Sequence, residues 1–159
     1  MSTVLAYTIL CREGCTCVLT NGHQTFTSMQ RGVRPLLALL DSGQDLRGYS
    51  AADKVVGRAA AMIYCLMGIE ALHAAVISQS ALAVLRRQGI AVTWDTLVSG
   101  IRNRTDTGPC PMEQATAGVD DPRQALAAIR QKLNELRGCK KSPYEKNCGF
   151  RMEVAVFLW

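Results

Sequence analysis

Residues 71–94 read "ALHAAVISQSALAVLRRQGIAVTW", and the order of patterns within them decides the fold. The first eight, "ALHAAVIS", form an unbroken apolar run of strand length, as expected of a strand buried on both faces. The next eleven, "QSALAVLRRQG", change to helical spacing, with Ala81, Leu82, Val84 and Leu85 on one side and Gly89 as the stop. "IAVTW" then returns to β-branched and aromatic residues. A strand, a helix and a strand joined this tightly make a crossover unit. The two strands are therefore expected to be parallel, with a right-handed connection.

Upstream, residues 3–12 read as a short first helix. "CTCVLT" (15–20) and "HQTFTS" (23–28) read as two strands joined at Asn21-Gly22, a type I′ hairpin signal because both turn positions need positive φ. "VRPLLALLD" (33–41) places Pro35 near a helix start, with Gly43 just past the end. Ser50-Ala51-Ala52-Asp53 resembles a capping box opening a long apolar helix from Asp53 to about Leu66. In that helix Gly57, Ala59, Ala60 and Ala61 would allow close packing on a sheet. Downstream, residues 95–102 read as a helical turn or two and "NRTDTGPCP" (103–111) as a loop. A short helix begins at Pro111 or Met112. Asp121-Pro122 opens a last amphipathic helix, apolar at Ala125, Leu126, Ile129, Leu133 and Leu136. "MEVAVFLW" (152–159) reads as a terminal strand. The expected architecture is a three-layer α-β-α sandwich of the α/β class, with a mixed sheet in which an N-terminal hairpin is followed by parallel β-α units. It occupies residues 1–138, and 139–159 form a tail carrying the extra strand.

Bulk composition narrows the function classes. With 159 residues, 48% of them apolar, the chain has enough material for one real core. The formal net charge of +5 is scattered, without a basic stripe or interleaved aromatics, so nucleic-acid binding is not expected. A mildly basic surface suits a phosphorylated small molecule instead. No run of about 18 apolar residues is present to span a membrane, and the N-terminus lacks the pattern of a signal peptide. Seven cysteines, an odd number without the spacing of a secreted disulfide framework, point to a cytoplasmic protein with reduced thiols. Within C-x3-C-x-C (Cys11, Cys15, Cys17), the last two are expected to share one strand face, where packing is favoured over metal binding. His23 beside the turn and His73 in a strand lack the spacing of a ligand pair.

"GPCPMEQA" (108–115) differs by one residue from the P-C-x-x-C half of a zinc-deaminase site, with Glu113 where the second cysteine would stand. The blocks "SAADKVVGRAAA" (50–61), "VISQSALAVLRRQGI" (76–90), "IRNRTDTGPCPMEQA" (101–115) and "DDPRQAL" (120–126) resemble an uncharacterised bacterial family, domain of unknown function 1893, over roughly residues 4–137. That family is a branch of the cytidine-deaminase-like superfamily without the usual zinc ligands. The resemblance implies a cytidine-deaminase-like fold but no established activity. Deaminases carry H-x-E or C-x-E at the start of the helix after the hairpin, and P-C-x-x-C at the start of the helix after the third strand. In this chain those positions are assigned to 51–54 and 78–80, which hold neither His nor Cys. A catalytic zinc needs three protein ligands and a separate glutamate for proton transfer. No metal and no cofactor are therefore expected, and ordinary deamination is disfavoured.

The parallel strands still end at one edge of the sheet, where open α/β folds bind ligands. Asp53, Lys54, Ser78, Ser80, Asn103, Arg104, Gly108, Cys110 and Glu113 are expected to converge there. Helix N-termini would add partial positive charge suited to a small anionic or nucleotide-like ligand. Each residue also has a plainer reading. Asp53 and Glu113 cap their own helices, Ser78 and Ser80 are helix caps, Cys110 is a buried inert thiol, Lys54 is solvated, Asn103 ends a helix, and Arg104 makes a surface ion pair. Three functions stay open. The first is a metal-free deaminase-like domain binding such a ligand as a sensor or accessory protein. The second is an enzyme using Cys110 with Asp53 or Glu113 in other chemistry. The third is a structural or assembly protein, with the terminal segment a candidate contact for a homo-oligomer.

Overall fold

The computed structural model describes residues 2–103, 105–138 and 151–153. Its elements run α1 (Ser2–Glu13), β1 (Cys17–Thr20), β2 (Thr25–Ser28), α2 (Arg34–Asp41), β3 (Ser50–Val56), α3 (Arg58–Met67), β4 (Ala71–Ser78), α4 (Gln79–Arg87), β5 (Ala91–Val98), α5 (Pro111–Thr116), α6 (Pro122–Gly138) and β6 (Arg151–Glu153). The mixed sheet has the order β5-β4-β3-β1-β2-β6. Strands β3, β4 and β5 are parallel, whereas β1 lies antiparallel to both β2 and β3.

Alternation along β1 separates two cores. Leu19 faces the larger one, built with Leu36, Met62, Ile63, Leu72, Ile77, Leu85 and Ile129. Val18 faces the smaller one, closed by Ala6 and Leu10 of α1 together with Ala52. Helix α1 therefore covers one face of the sheet and α2, α3 and α4 the other, as right-handed β-α-β crossovers in one direction require. Helix α6 packs on α3 and α5 rather than on the sheet. Helix boundaries follow local chemistry. Pro35 sits in the first turn of α2, where its missing N–H has no intrahelical partner to lose. Gly68 closes α3 at φ 70°, a left-handed position that glycine takes without strain.

The structure corrects four sequence readings. Ser50-Ala51-Ala52-Asp53 is not a helix cap, because these residues lie in β3, and the helix begins only at Arg58. The small side chains suit a central strand pressed by α1 on one face and α3 on the other, and backbone pairing to β1 and β4 overrides local helix propensity. Residues 95–98 continue β5 rather than forming a helical turn, because they pair in register with β4 as far as Ser78↔Val98. The hairpin is not a two-residue type I′ turn. Gly22 has φ 91°, but Asn21 is absent from the residues with positive φ. Instead Asn21 Oδ1 accepts from the N–H groups of His23 and Gln24, and its own N–H donates to Gln24 O, giving a four-residue loop. Finally, Cys15 and Cys17 do not share a face. Cys15 precedes β1 and packs under α1, while Cys17 enters the larger core. Of the expected terminal strand, Met152 and Glu153 lie in β6, which pairs with β2, and 154–159 lie outside the described residues.

Candidate functional site

Because β3 and β4 are parallel, their carboxyl ends, Val56 and Ser78, lie together. Each passes at once into a helix, so the N-termini of α3 and α4 open side by side. Ser78 caps α4 itself, accepting the Ala81 N–H at 3.2 Å. Gly57, the residue capping α3, has no side chain to do the same, and the cap comes from α5 instead. Glu113 Oε1 accepts the Arg58 backbone N–H at 2.7 Å and the Ser78 hydroxyl at 3.0 Å, while Oε2 accepts the Ser80 hydroxyl at 3.3 Å. One carboxylate thus spans two helix starts that are not its own.

The local sequence is shaped around that carboxylate. A Cβ on Gly57 would stand 2.6 Å from Glu113 Oε1 and 3.2 Å from Ile101 Cγ1. With φ at −93° the backbone there is ordinary, so space, not conformation, selects glycine. Pro111 starts α5, and the Thr116 hydroxyl bonds Met112 O at 2.9 Å. Arg58 then holds the far end of the segment. Its guanidinium donates to Thr116 O at 2.8 Å and Val119 O at 2.6 Å, and it pairs with Asp120 at 3.0 Å. Asp120 also meets Arg87 at 3.3 Å, and the two guanidiniums, Arg87 foremost, hold its carboxyl below the usual range. Backbone and side chain of Arg58 therefore fix both ends of residues 113–120.

Several expected members lie elsewhere. Asp53 sits on β3, not at a helix start, and is buried in the larger core's layer. It accepts the Tyr64 hydroxyl at 2.7 Å, and Tyr64 in turn lies 3.1 Å from Cys17 Sγ. Burial raises the Asp53 carboxyl to about 6 against the lowering pull of Tyr64 and the Val55 N–H. Lys54 is on the α1 face, with Nζ 3.4 Å from Gly14 O. Asn103 does not end a helix. Its N–H bonds Gly108 O at 2.9 Å and its Oδ1 accepts the Thr107 N–H at 3.0 Å, closing the loop on itself. Cys110 is the residue preceding α5, half-buried, and among the described residues no hydrogen bond reaches its thiol. Arg104 lies outside the described residues. The structure thus brings together Ser78, Ser80 and Glu113, and adds Gly57 and Arg58. Those two were legible as a Gly-Arg pair ahead of an alanine run, had the strand been ended at Val56.

Chemically the arrangement is an anion site: one backbone N–H, two hydroxyls and two helix N-termini aimed at a single carboxylate. Among the described residues, no group of three or more His, Cys, Asp and Glu side chains is placed to hold a metal ion. No helix there is long and apolar enough to cross a membrane.

The family model described as Domain of unknown function (DUF1893), TM1506, matches residues 5–133. A crystal structure of a DUF1893 family protein (TM1506) from Thermotoga maritima is similar, with a TM-score of 0.74 and 27% sequence identity over 83% of this chain and 88% of that one. No curated protein matches the chain.

Proposed function

This chain belongs to the DUF1893 family, and we propose that it is a metal-free, deaminase-like domain of the cytoplasm that binds a small anionic or nucleotide-like ligand where α3 and α4 begin. In the resting state Glu113 fills that place. The observation that carries the reading is the donor set. Arg58 N–H, Ser78 Oγ and Ser80 Oγ come from two different helix starts and converge on one carboxylate. A carboxylate or phosphate on a ligand has the same charge and acceptor geometry and competes for the same donors.

The deaminase likeness rests on the hairpin followed by parallel β-α units and on the sheet order. With the elements placed, the positions at which deaminases carry their ligands fall at the starts of α2 and α3, around Arg34 and Arg58, rather than at 51–54 and 78–80. Arginine, proline, glycine and alanine stand there, and none of them ligates zinc. The reading therefore remains one of binding without metal chemistry.

The test is a thermal-shift and calorimetric panel of phosphate- and carboxylate-bearing nucleotides and metabolites against the wild type, Glu113→Ala and Ser80→Ala. The expected result is a ligand that stabilises the wild type, binds more tightly to Glu113→Ala and less tightly to Ser80→Ala, and weakens with salt. A second reading, a structural or assembly role without ligand, is favoured by one observation: Glu113 already satisfies every donor of the site. A flat panel in both the wild type and Glu113→Ala would leave that second reading standing. The structure gives Cys110 no hydrogen-bonded base for a role as nucleophile, since among the described residues no hydrogen bond reaches its thiol.

A further inference from the structure

The other face of the sheet carries a cluster that the anion site does not use. His73 on β4 and Thr93 on β5 are partners across the parallel pair, and Asp95 stands two residues further along β5, on the same face. Thr93 Oγ1 lies 2.8 Å from His73 Nδ1. His73 Nε2 is buried without a hydrogen-bond partner, and the Asp95 carboxylate is 3.4 Å away, within ion-pair reach but outside good hydrogen-bond geometry. From α1, Tyr7 stacks on the imidazole with ring centroids 4.3 Å apart, and its hydroxyl donates to Asp95 Oδ2 at 3.4 Å.

These contacts select one tautomer. If Nδ1 carried the proton, the Nε2 lone pair would face a carboxylate across a buried gap, acceptor against acceptor. If Nε2 carries it, the N–H lies beside the Asp95 carboxylate, at ion-pair distance but short of a hydrogen bond, and Nδ1 is free to accept from the threonine hydroxyl. A hydroxyl donating to an imidazole whose far nitrogen faces a carboxylate is the arrangement of nucleophile, base and orienting acid. Thr93 is exposed, so a reagent in solution reaches it. Strand β5 is also the sheet edge. Its Ala91 N–H turns toward β4 to reach Glu70 O, so in a regular strand the Trp94 N–H, next after Thr93, points away from the sheet. That leaves a backbone donor at the sheet edge one residue from Thr93.

We propose that Thr93 is a nucleophile, with His73 as its general base, that takes acyl groups from small activated esters. Thr93 Oγ1 attacks the carbonyl carbon and its proton passes to His73 Nδ1. The bond to the leaving oxygen breaks, and that oxygen takes the proton back from His73. Water then attacks the threonyl ester, again giving its proton to His73 Nδ1. Carboxylic acid departs and the Thr93 hydroxyl is restored. Asp95 and Tyr7 are positioning residues that fix the imidazole.

The experiment uses p-nitrophenyl acetate with the full chain, following nitrophenolate release and mapping any acetyl group by peptide mass spectrometry. The expected result is release above the buffer rate and an acetyl ester on Thr93. His73→Gln and Thr93→Val should each lower the rate by about 100-fold or more. Thr93→Ser should keep the rate within about tenfold, which separates loss of the hydroxyl from loss of the fold. Thr96→Val, on the same strand but outside the relay, should match the wild type. Asp95→Asn should lower kcat while leaving KM in place, because it disturbs the tautomer rather than access. Acetylation confined to lysine or tyrosine, or an unchanged rate in folded Thr93→Val, overturns the proposal.

Discussion

Replacing Glu113 by alanine should destabilise the fold far beyond what its place on a six-residue helix suggests. The carboxylate accepts the Arg58 N–H at 2.7 Å, a charge-assisted bond of the kind that contributes about 1.5–3 kcal/mol. It also faces two helix N-termini, each adding about 0.3–1 kcal/mol. Part of this is recovered in the variant. Ser78 and Ser80 are already 3.2 Å apart and can bond each other, and water can enter the half-buried site. A net loss of about 2 kcal/mol remains. For a chain of this size about 2–4 °C of melting temperature accompanies each kcal/mol, so Glu113→Ala should melt about 4–8 °C lower. Glu113→Gln keeps an acceptor without the charge and should lose roughly half as much. Circular dichroism melts read both variants, and a second series in acetate or phosphate reads the vacated site. The small anion should restore part of the loss in Glu113→Ala and leave the wild type unmoved. A Glu113→Ala protein that melts with the wild type would refute the reasoning, because the cap would then contribute nothing.

Gly57→Ala should cost about 1–3 kcal/mol by forcing Glu113 from its seat. It should cost much less in the Glu113→Ala background, a coupling that a double-mutant cycle measures and that additive losses would contradict. Asp53 is raised to about 6 in the folded protein, so the native state holds a proton that the unfolded state has lost. Stability should therefore fall as pH rises from about 4 to about 6, by about 3 kcal/mol in total from this group, and then level off. Urea titrations of Asp53→Asn should lack that slope, and the same slope in both proteins would assign it to other groups. Removing residues 151–159 takes away β6 and unpairs the β2 edge, so the shortened chain should be less stable or self-associate more, as read by melting and light scattering. An equal melting temperature with equal mass in solution would mark that edge as dispensable.

The β-α-β unit at residues 71–94 was determined by the sequence alone, because period 2, period 3.6 and a glycine stop succeed one another without conflict. The same holds for α2, opened by Pro35, and for α5 and α6, opened by Pro111 and Pro122. These signals are local, and a proline or a helical stripe means the same thing in any surroundings. Strand β3 was not determined in this way. Ser50-Ala51-Ala52-Asp53 carries a capping pattern and alanines that favour helix locally. Only its position between β1 and β4, with helices pressing on both faces, makes small side chains the mark of a central strand. Misplacing that strand sent Asp53 and Lys54 to a helix start, whereas pairing puts them on opposite faces of the sheet, one under Tyr64 and one beside Gly14. Ser78, Ser80 and Glu113 were legible as polar residues at helix starts. That Glu113 serves α3 and α4 instead of its own helix depends on a contact spanning 55 residues of sequence, set by the docking of α5 and by the empty space above Gly57. The relay of Thr93, His73 and Asp95 was illegible for the same reason. Registry between β4 and β5 brings those side chains together, and a one-residue slip would turn one strand's members of the relay to the other face.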